Sequence, residues 1–469
     1  MVNRLWCETV VPILWRNPWS YDGVNYNNKS SLFTIISCYL FDNIKGFITE
    51  QGIQLPSSSN QSLLLFDYLS FCRSINVNTI RSIISIGSTL DYNQFSMQQE
   101  FYSLFMKKCP ELKYFDMRSI KHQIFYFPEA KARLELLCEL KCDTSIDSSY
   151  LYGLSQLCHH IQRIIIINID QKPNYGIAKL IEVQKNLIHF EWDDYDEYLT
   201  DDPYKDIFLA LVKKSDTLHY LKVFFDGIDN TTLQDILPKF HKLKTLISDG
   251  YFFLTKEQLE RLKKQVYHDL EILNLEWNSL NVISCIIENN GGRLKKILFR
   301  PHDTIDCDYY HFNEHSLNFI RKVHENCPLI EYLSIIFPPS KEHFTEFENL
   351  LKVCKNLKSL LLLLDMDITD TYDEVLEHGK ELLNMLIRSS STSLIEVRLC
   401  NRFKFSLKIL EEFLEKWRVN RPILSIYTID STYKEEDYKE LINKYKNDGV
   451  IKDFKHVTYM DEICYNEIS

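Results

Sequence analysis

An α/β solenoid of repeated strand, loop and helix units, with parallel strands lining a concave side and helices a convex one, is the fold this sequence predicts. A small helical segment precedes the array. Three observations carry the prediction: an apolar signature that returns at a near-constant interval, helix-period apolar stripes between its copies, and a scarcity of glycine that weighs mildly against the common nucleotide-cradling folds.

The signature is Leu-x-x-Leu-x-Leu, with other apolar residues admitted at the three fixed places. Copies begin at Leu112, Leu137, Ile161, Leu187, Leu218, Leu243, Leu270, Leu294, Ile330, Leu357, Leu394 and Ile423. The eleven intervals average about 28 residues; eight fall between 24 and 29, and those of 31, 36 and 37 read as local insertions. This is the spacing of leucine-rich repeats, roughly 20–29 residues per unit. The third place is weak in two copies, at Ser248 and Thr428.

The spacing has a physical meaning. In the last four places the alternation turns two apolar side chains to one face of a short strand, and the first Leu sits at the turn that enters it. Between copies, apolar residues recur at three and four: Leu259, Leu262 and Val266; Leu382, Leu383, Leu386 and Ile387; Leu407, Leu410, Phe413, Leu414 and Trp417. Cys109, Cys327 and Cys354 stand just ahead of a copy, where each is expected to end the preceding helix and pack inward. Asp367–Asp370 reads as a turn and helix N-cap. One unit alone cannot cover its apolar strand face, so burial arises only by stacking.

Composition narrows the function. Against 54 Lys and Arg stand 65 Asp and Glu; the net charge of −11 repels phosphate backbones and sets nucleic acid aside as a main ligand. No apolar run approaches the roughly 20 residues that span a bilayer, and Arg4, Glu8 and Arg16 interrupt any signal-peptide pattern, so no membrane is expected. Thirteen cysteines, an odd number without a C-x-x-C pair, fit a reducing cytosol or nucleus.

Candidates for chemistry are few. His311-Phe312-Asn313-Glu314-His315 matches the H-x-x-E-H string of inverted zinc proteases, but it falls in the 36-residue interval, where a polar loop and helix start is the plainer reading. His159 and His160 precede a strand, where neighbours face opposite ways. The acidic run Asp193–Glu197, with Asp201 and Asp202, lacks calcium-loop spacing and reads as a solvated loop. The sequence therefore predicts no enzyme, no catalytic residue, no metal and no cofactor, with a metallohydrolase at His311 and His315 as the outlying alternative.

Residues between the buried places face into the concavity. These include Lys113, Asp116, His189, Glu191, His219, Lys222, Asn274, Glu276 and Arg398, with Tyr114, Trp192 and Trp277 nearby. Mixed charges beside aromatics suit a protein or peptide ligand.

The flanks complete the organisation. Residues 1–20 read as one helix, with Val2, Trp6, Val10 and Ile13 or Leu14 on one face and Pro18 closing it. Residues 21–108 read as a helical linker and N-terminal cap, with helices over 29–54 and 62–85. The array covers 109–430, and 431–469 is a polar C-terminal cap or tail.

Val2-Asn3-Arg4-Leu5-Trp6 resembles the V-x-R-x-W near the end of the F-box. Leu14-Trp15-Arg16-Asn17-Pro18-Trp19 is similar to the segment that follows the box in a fungal family of F-box/leucine-rich-repeat proteins, expanded in arbuscular mycorrhizal fungi. The resemblance extends through SLFTIISCYL, LLLFDYLSFC and CPELKYFDM and covers nearly the whole chain. It implies a substrate receptor of a Skp-cullin-F-box ubiquitin ligase: Val2, Arg4 and Trp6 would contact the Skp-type adaptor, and the repeats would hold an unknown substrate protein. The L-P-x-E-I-L-x-x-I opening and the middle helix of the box are missing, so residues 1–20 are expected to be a remnant of its last helix. Either the true start lies upstream of Met1, or the protein no longer docks the adaptor and residues 2–19 simply cap the solenoid. The alternative function is a free-standing leucine-rich-repeat binding protein without a ligase link.

Overall fold

The structure is a computed structural model that describes residues 4–19, 29–56, 64–169, 174–194, 204–224, 235–249, 255–276, 278–300, 312–365, 371–400, 404–419 and 421–457. It divides into two compact units, residues 1–218 and 219–469.

The first unit holds five parallel strands in chain order: β1 (Ser74–Asn76), β2 (Tyr114–Asp116), β3 (Glu139–Asp143), β4 (Arg163–Asn168) and β5 (His189–Asp194). Four copies of the signature place β2 to β5. Their twelve fixed residues, from Leu112, Phe115 and Met117 to Leu187, Phe190 and Trp192, are each at most 1% exposed. At roughly 1.5–3 kcal/mol per large apolar side chain, these rows are the main cohesive term of the unit. Helices fill the intervals, among them Ser148–Ser155 and Tyr175–Val183.

Polar side chains brace one repeat to the next. Asn174 caps the Tyr175–Val183 helix by accepting the Gly176 N–H (3.1 Å), and its Nδ2 donates to the carbonyls of Thr144 and Ile146 (3.2 and 2.6 Å). Gln184 accepts the Ile161 N–H and donates to the Cys158 carbonyl, both at 2.9 Å. Gly176 must be glycine for space: a Cβ there would lie 2.5 Å from the Ser148 carbonyl oxygen.

The strand ladder begins earlier than the spacing predicts, because β1 lies within residues expected to be helical. Asn76 ends it by capping the helix Val77–Ile84 through the Thr79 N–H. The outer edge of β1 is covered by the segment after the first helix: Arg73 N–H donates to the Arg16 carbonyl (2.9 Å) and Trp19 Nε1 to the Ser74 carbonyl (3.1 Å). This satisfies an edge that would otherwise invite pairing. The helices expected over 29–54 and 62–85 are broken into Lys29–Ser37, Asp42–Glu50, Tyr68–Phe71 and Val77–Ile84. The N-terminal helix runs Arg4–Leu14 and ends four residues ahead of Pro18.

The second unit holds nine parallel strands in chain order: β6 (Tyr220–Phe224), β7 (Thr245–Asp249), β8 (Ile272–Glu276), β9 (Lys296–Leu298), β10 (Tyr332–Phe337), β11 (Ser359–Leu364), β12 (Glu396–Cys400), β13 (Leu424–Thr428) and β14 (Ile451–His456). The apolar places stack in register: Leu246 beside Leu273, Leu273 beside Ile297, Leu333 beside Leu360, Leu360 beside Val397. Helices with apolar stripes lie between them, as at Lys341–Val353, Tyr372–Ser389 and Leu407–Trp417. Both units thus have the leucine-rich-repeat architecture that the period predicts.

Three details depart from the prediction. Ile423 does not fill the first place of its copy: it is 54% exposed, and Leu424 is buried instead, next to a register shift against β14. The turn and N-cap expected at Asp367–Asp370 lie outside the described residues; Thr371 caps the helix that follows, in a reciprocal capping box with Glu374. The polar C-terminal region forms a helix, Glu436–Asn447, as a cap there requires, and departs from the expectation by adding the strand β14.

Cys109 and Cys354 cap the ends of their helices and, with Cys327, are buried. Burial pushes the thiols of Cys327 and Cys354 up to about 12. The eleven cysteines among the described residues are all free, and no described helix is long and apolar enough to cross a membrane.

Candidate functional site

Alternation leaves the odd positions of each strand on the sheet face away from the buried Leu rows. In the first unit these positions form two columns. Glu139, Arg163 and His189 stand side by side in one; Asp116, Lys141, Ile165 and Glu191 do so in the other.

The columns are tied by ion pairs. Arg163 reaches Glu191 at 2.7 Å and Glu139 at 3.5 Å, and His189 Nε2 hydrogen-bonds the same Glu191 carboxylate. Burial would raise the Glu191 pKa, but the bonds from His189 and Arg163 outweigh it and hold the carboxyl at about 2. Arg118 grips Asp116 through two nitrogens, at 2.9 and 2.6 Å. Beside this network the face opens into a cleft of about 270 Å³, walled by Asn17 and Trp19 on one side and floored by Tyr114, Asp116, Lys141 and Ile165. Tyr114 is 43% exposed.

The predicted residues fare unequally. His189 and Glu191 meet directly, on the expected face. Asp116 lies there too, closed by Arg118. Lys113 precedes its strand and pairs with Glu111 at 3.3 Å. Trp192 is not a ligand-facing aromatic: it fills the third fixed place of its copy, buried, and its Nε1 donates to the half-buried Asp194 (2.6 Å).

The second unit carries the other predicted residues. Lys222 lies over the Phe224 ring at 4.5 Å, and Glu276 pairs with Arg300 at 3.0 Å. Arg398 bonds Glu396 at 2.8 Å and covers the Tyr427 ring at 5.1 Å. His219 precedes β6, and Asn274 stands on β8. Sequence reasoning missed Lys141 and Arg163, and in the second unit Lys296, whose ammonium lies 5.0 Å over the ring of Tyr332 on the next strand. All four occupy places between apolar anchors, and strict use of that rule for every copy would have found them.

Nothing among the described residues gathers three metal-ligating groups. Val2, Trp277 and His311 lie outside the described residues. His315 sits on the helix Phe312–Asn326. The imidazole of His343, itself buried, bridges the buried hydroxyl of Ser316 (2.9 Å) and the hydroxyl of Ser340, the exposed N-cap of the helix Lys341–Val353 (2.8 Å).

A third feature stands at the N-terminus. The Arg4–Leu14 helix buries no side chain of its own: Leu5, Trp6 and Ile13 are 70%, 63% and 58% exposed. Arg4 is solvent-facing and paired with Glu8 at 2.7 Å.

No protein-family model matches the chain, and no curated protein matches it. Among solved structures the chain is similar to one in the crystal structure of the Rad7 and Elc1 complex from yeast, at 14% sequence identity. That match has a TM-score of 0.42 and covers 75% of this chain and 86% of the other.

Proposed function

We propose that the chain is a non-enzymatic protein-binding scaffold. Its N-terminal helix docks a Skp-type adaptor and its open strand faces hold a substrate protein, as in a substrate receptor of a Skp-cullin-F-box ubiquitin ligase. The carrying observation is the Arg4–Leu14 helix, on which Leu5, Trp6 and Ile13 are each more than half exposed to solvent. A clustered apolar surface of this kind marks a protein interface, and Trp with Arg are the residue types that most often anchor one. Arg4 and Trp6 are also the described residues of the F-box-like V-x-R-x-W. The free, mostly buried cysteines support a reducing compartment, cytosolic or nuclear.

The test is a pull-down of the purified chain with a Skp-type adaptor, beside the Leu5→Ala/Trp6→Ala double variant. Capture by the wild type and loss in the variant, with an unchanged melting temperature, is the expected result. No capture by the wild type would overturn the ligase reading and leave the free-standing repeat scaffold.

A further inference from the structure

The cleft in the first unit has one ionic group whose charge the structure leaves unanswered. Around it, each carboxylate of the face is engaged. Asp116 is held by Arg118 and by Asn76 Nδ2 at 3.3 Å. Glu139 and Glu191 share Arg163. Asp143 accepts the Ser119 N–H at 2.7 Å and the Ser145 N–H at 3.1 Å. Lys141 stands in register between Asp116 and Ile165 and lines the cleft, yet its ammonium has no hydrogen bond and no carboxylate partner among the described residues. Beside it Tyr114 offers a half-exposed ring.

Size limits what enters. About 270 Å³ falls below the 300–1,000 Å³ typical of cofactor and small-molecule sites. It suits one or two side chains of a polypeptide laid along the face.

We infer that this cleft receives an acidic side chain, Asp or Glu, of an extended segment of the bound protein, with its carboxylate on Lys141 and its stem against Tyr114. The inference rests on the protein-binding reading and gives that reading a chemical class of ligand. A basic segment has no free carboxylate to meet here, since Arg118, Asn76 and Arg163 already occupy those nearby. An acidic one supplies the missing partner without breaking an existing pair.

The experiment selects a display library of random 12-residue peptides on the full chain, on Lys141→Met and on Lys452→Met, an exposed lysine of β14 in the other unit. Methionine keeps the stem length and removes the charge, and Lys141 points away from the core, so the fold is retained; equal melting temperatures check this. Pools from the wild type and Lys452→Met are expected to be enriched in Asp and Glu. That enrichment disappears on Lys141→Met, and a selected acidic peptide loses about fivefold or more in affinity. Amidated peptides separate side chains from a C-terminal carboxylate: loss of binding on amidation would overturn the assignment to a side chain. Peptides that bind without acidic bias, or acidic peptides indifferent to Lys141→Met, would overturn the inference while leaving the scaffold reading intact. No binders at all would also overturn it, and the adaptor pull-down then judges the scaffold reading separately.

Discussion

Glu191 offers the sharpest perturbation, because three observations bear on one carboxylate. It is 8% exposed, it accepts from Arg163 at 2.7 Å and from His189, and these bonds hold its carboxyl at about 2, against an ordinary value of 4.5. The difference is worth about 3 kcal/mol of folded stability at about 1.4 kcal/mol per pH unit. Because the folded pKa is depressed, this stability is present above about pH 4.5 and is lost as the pH falls toward 2. By pH 3 about 2 kcal/mol of it has gone. Glu191→Gln keeps the shape and removes the anion, so at pH 7 it is expected to cost about 2–3 kcal/mol. Hydrogen exchange of β4 and β5, read by mass spectrometry on variant and wild type at the same pH, isolates the unit concerned. The variant should exchange roughly 30- to 150-fold faster at pH 7, at tenfold per 1.4 kcal/mol, and the gap should narrow to about tenfold or less at pH 3. A gap that is equally wide at both pH values, or under about threefold at pH 7, would refute the argument that the ion network holds this face together.

Two further predictions concern packing. Ser248 occupies a fixed apolar place, is buried, and leaves its hydroxyl without a partner; Ser248→Ala should raise the urea midpoint of the second unit by an amount equivalent to about 1 kcal/mol. Gly176→Ala should destabilise the first unit by about 1–3 kcal/mol, because the new methyl meets the Ser148 carbonyl, a backbone atom that cannot rotate away; a melting temperature equal to wild type would show that neighbouring repeats tolerate separation.

The period made most of the fold legible. Twelve copies of one signature located twelve strands, because every fixed place except Ile423 is a buried contact that only an apolar side chain fills without cost. β1 and β14 escaped because their contacts are of another kind. β1 is three residues long, and its edge is satisfied by backbone and by Trp19, not by an apolar row. β14, Ile-Lys-Asp-Phe-Lys-His, carries charges on a strand at the end of the unit and has no leucine signature. Ile423 misled because apolar character alone does not say which of two adjacent residues, Ile423 or Leu424, turns inward at a register shift.

The site was legible in part. His189 and Glu191 were found because they stand between anchors, but their bond to each other and to Arg163 is a cross-strand relation, set by the register of β4 against β5. Trp192 looked like a binding aromatic because its size suits either role; its place in the signature decides for the core. Lys141 is significant only once the partners of its neighbours are known, which is a property of the assembled face.

The most direct measurement of the central claim is hydrogen exchange of the whole chain with and without a saturating Skp-type adaptor. The account predicts protection over residues 4–14, with the strand faces around Glu191, Lys141 and Arg398 unchanged and still open to a substrate. Exchange over residues 4–14 that is indifferent to the adaptor, or protection on the strand faces instead, would contradict it.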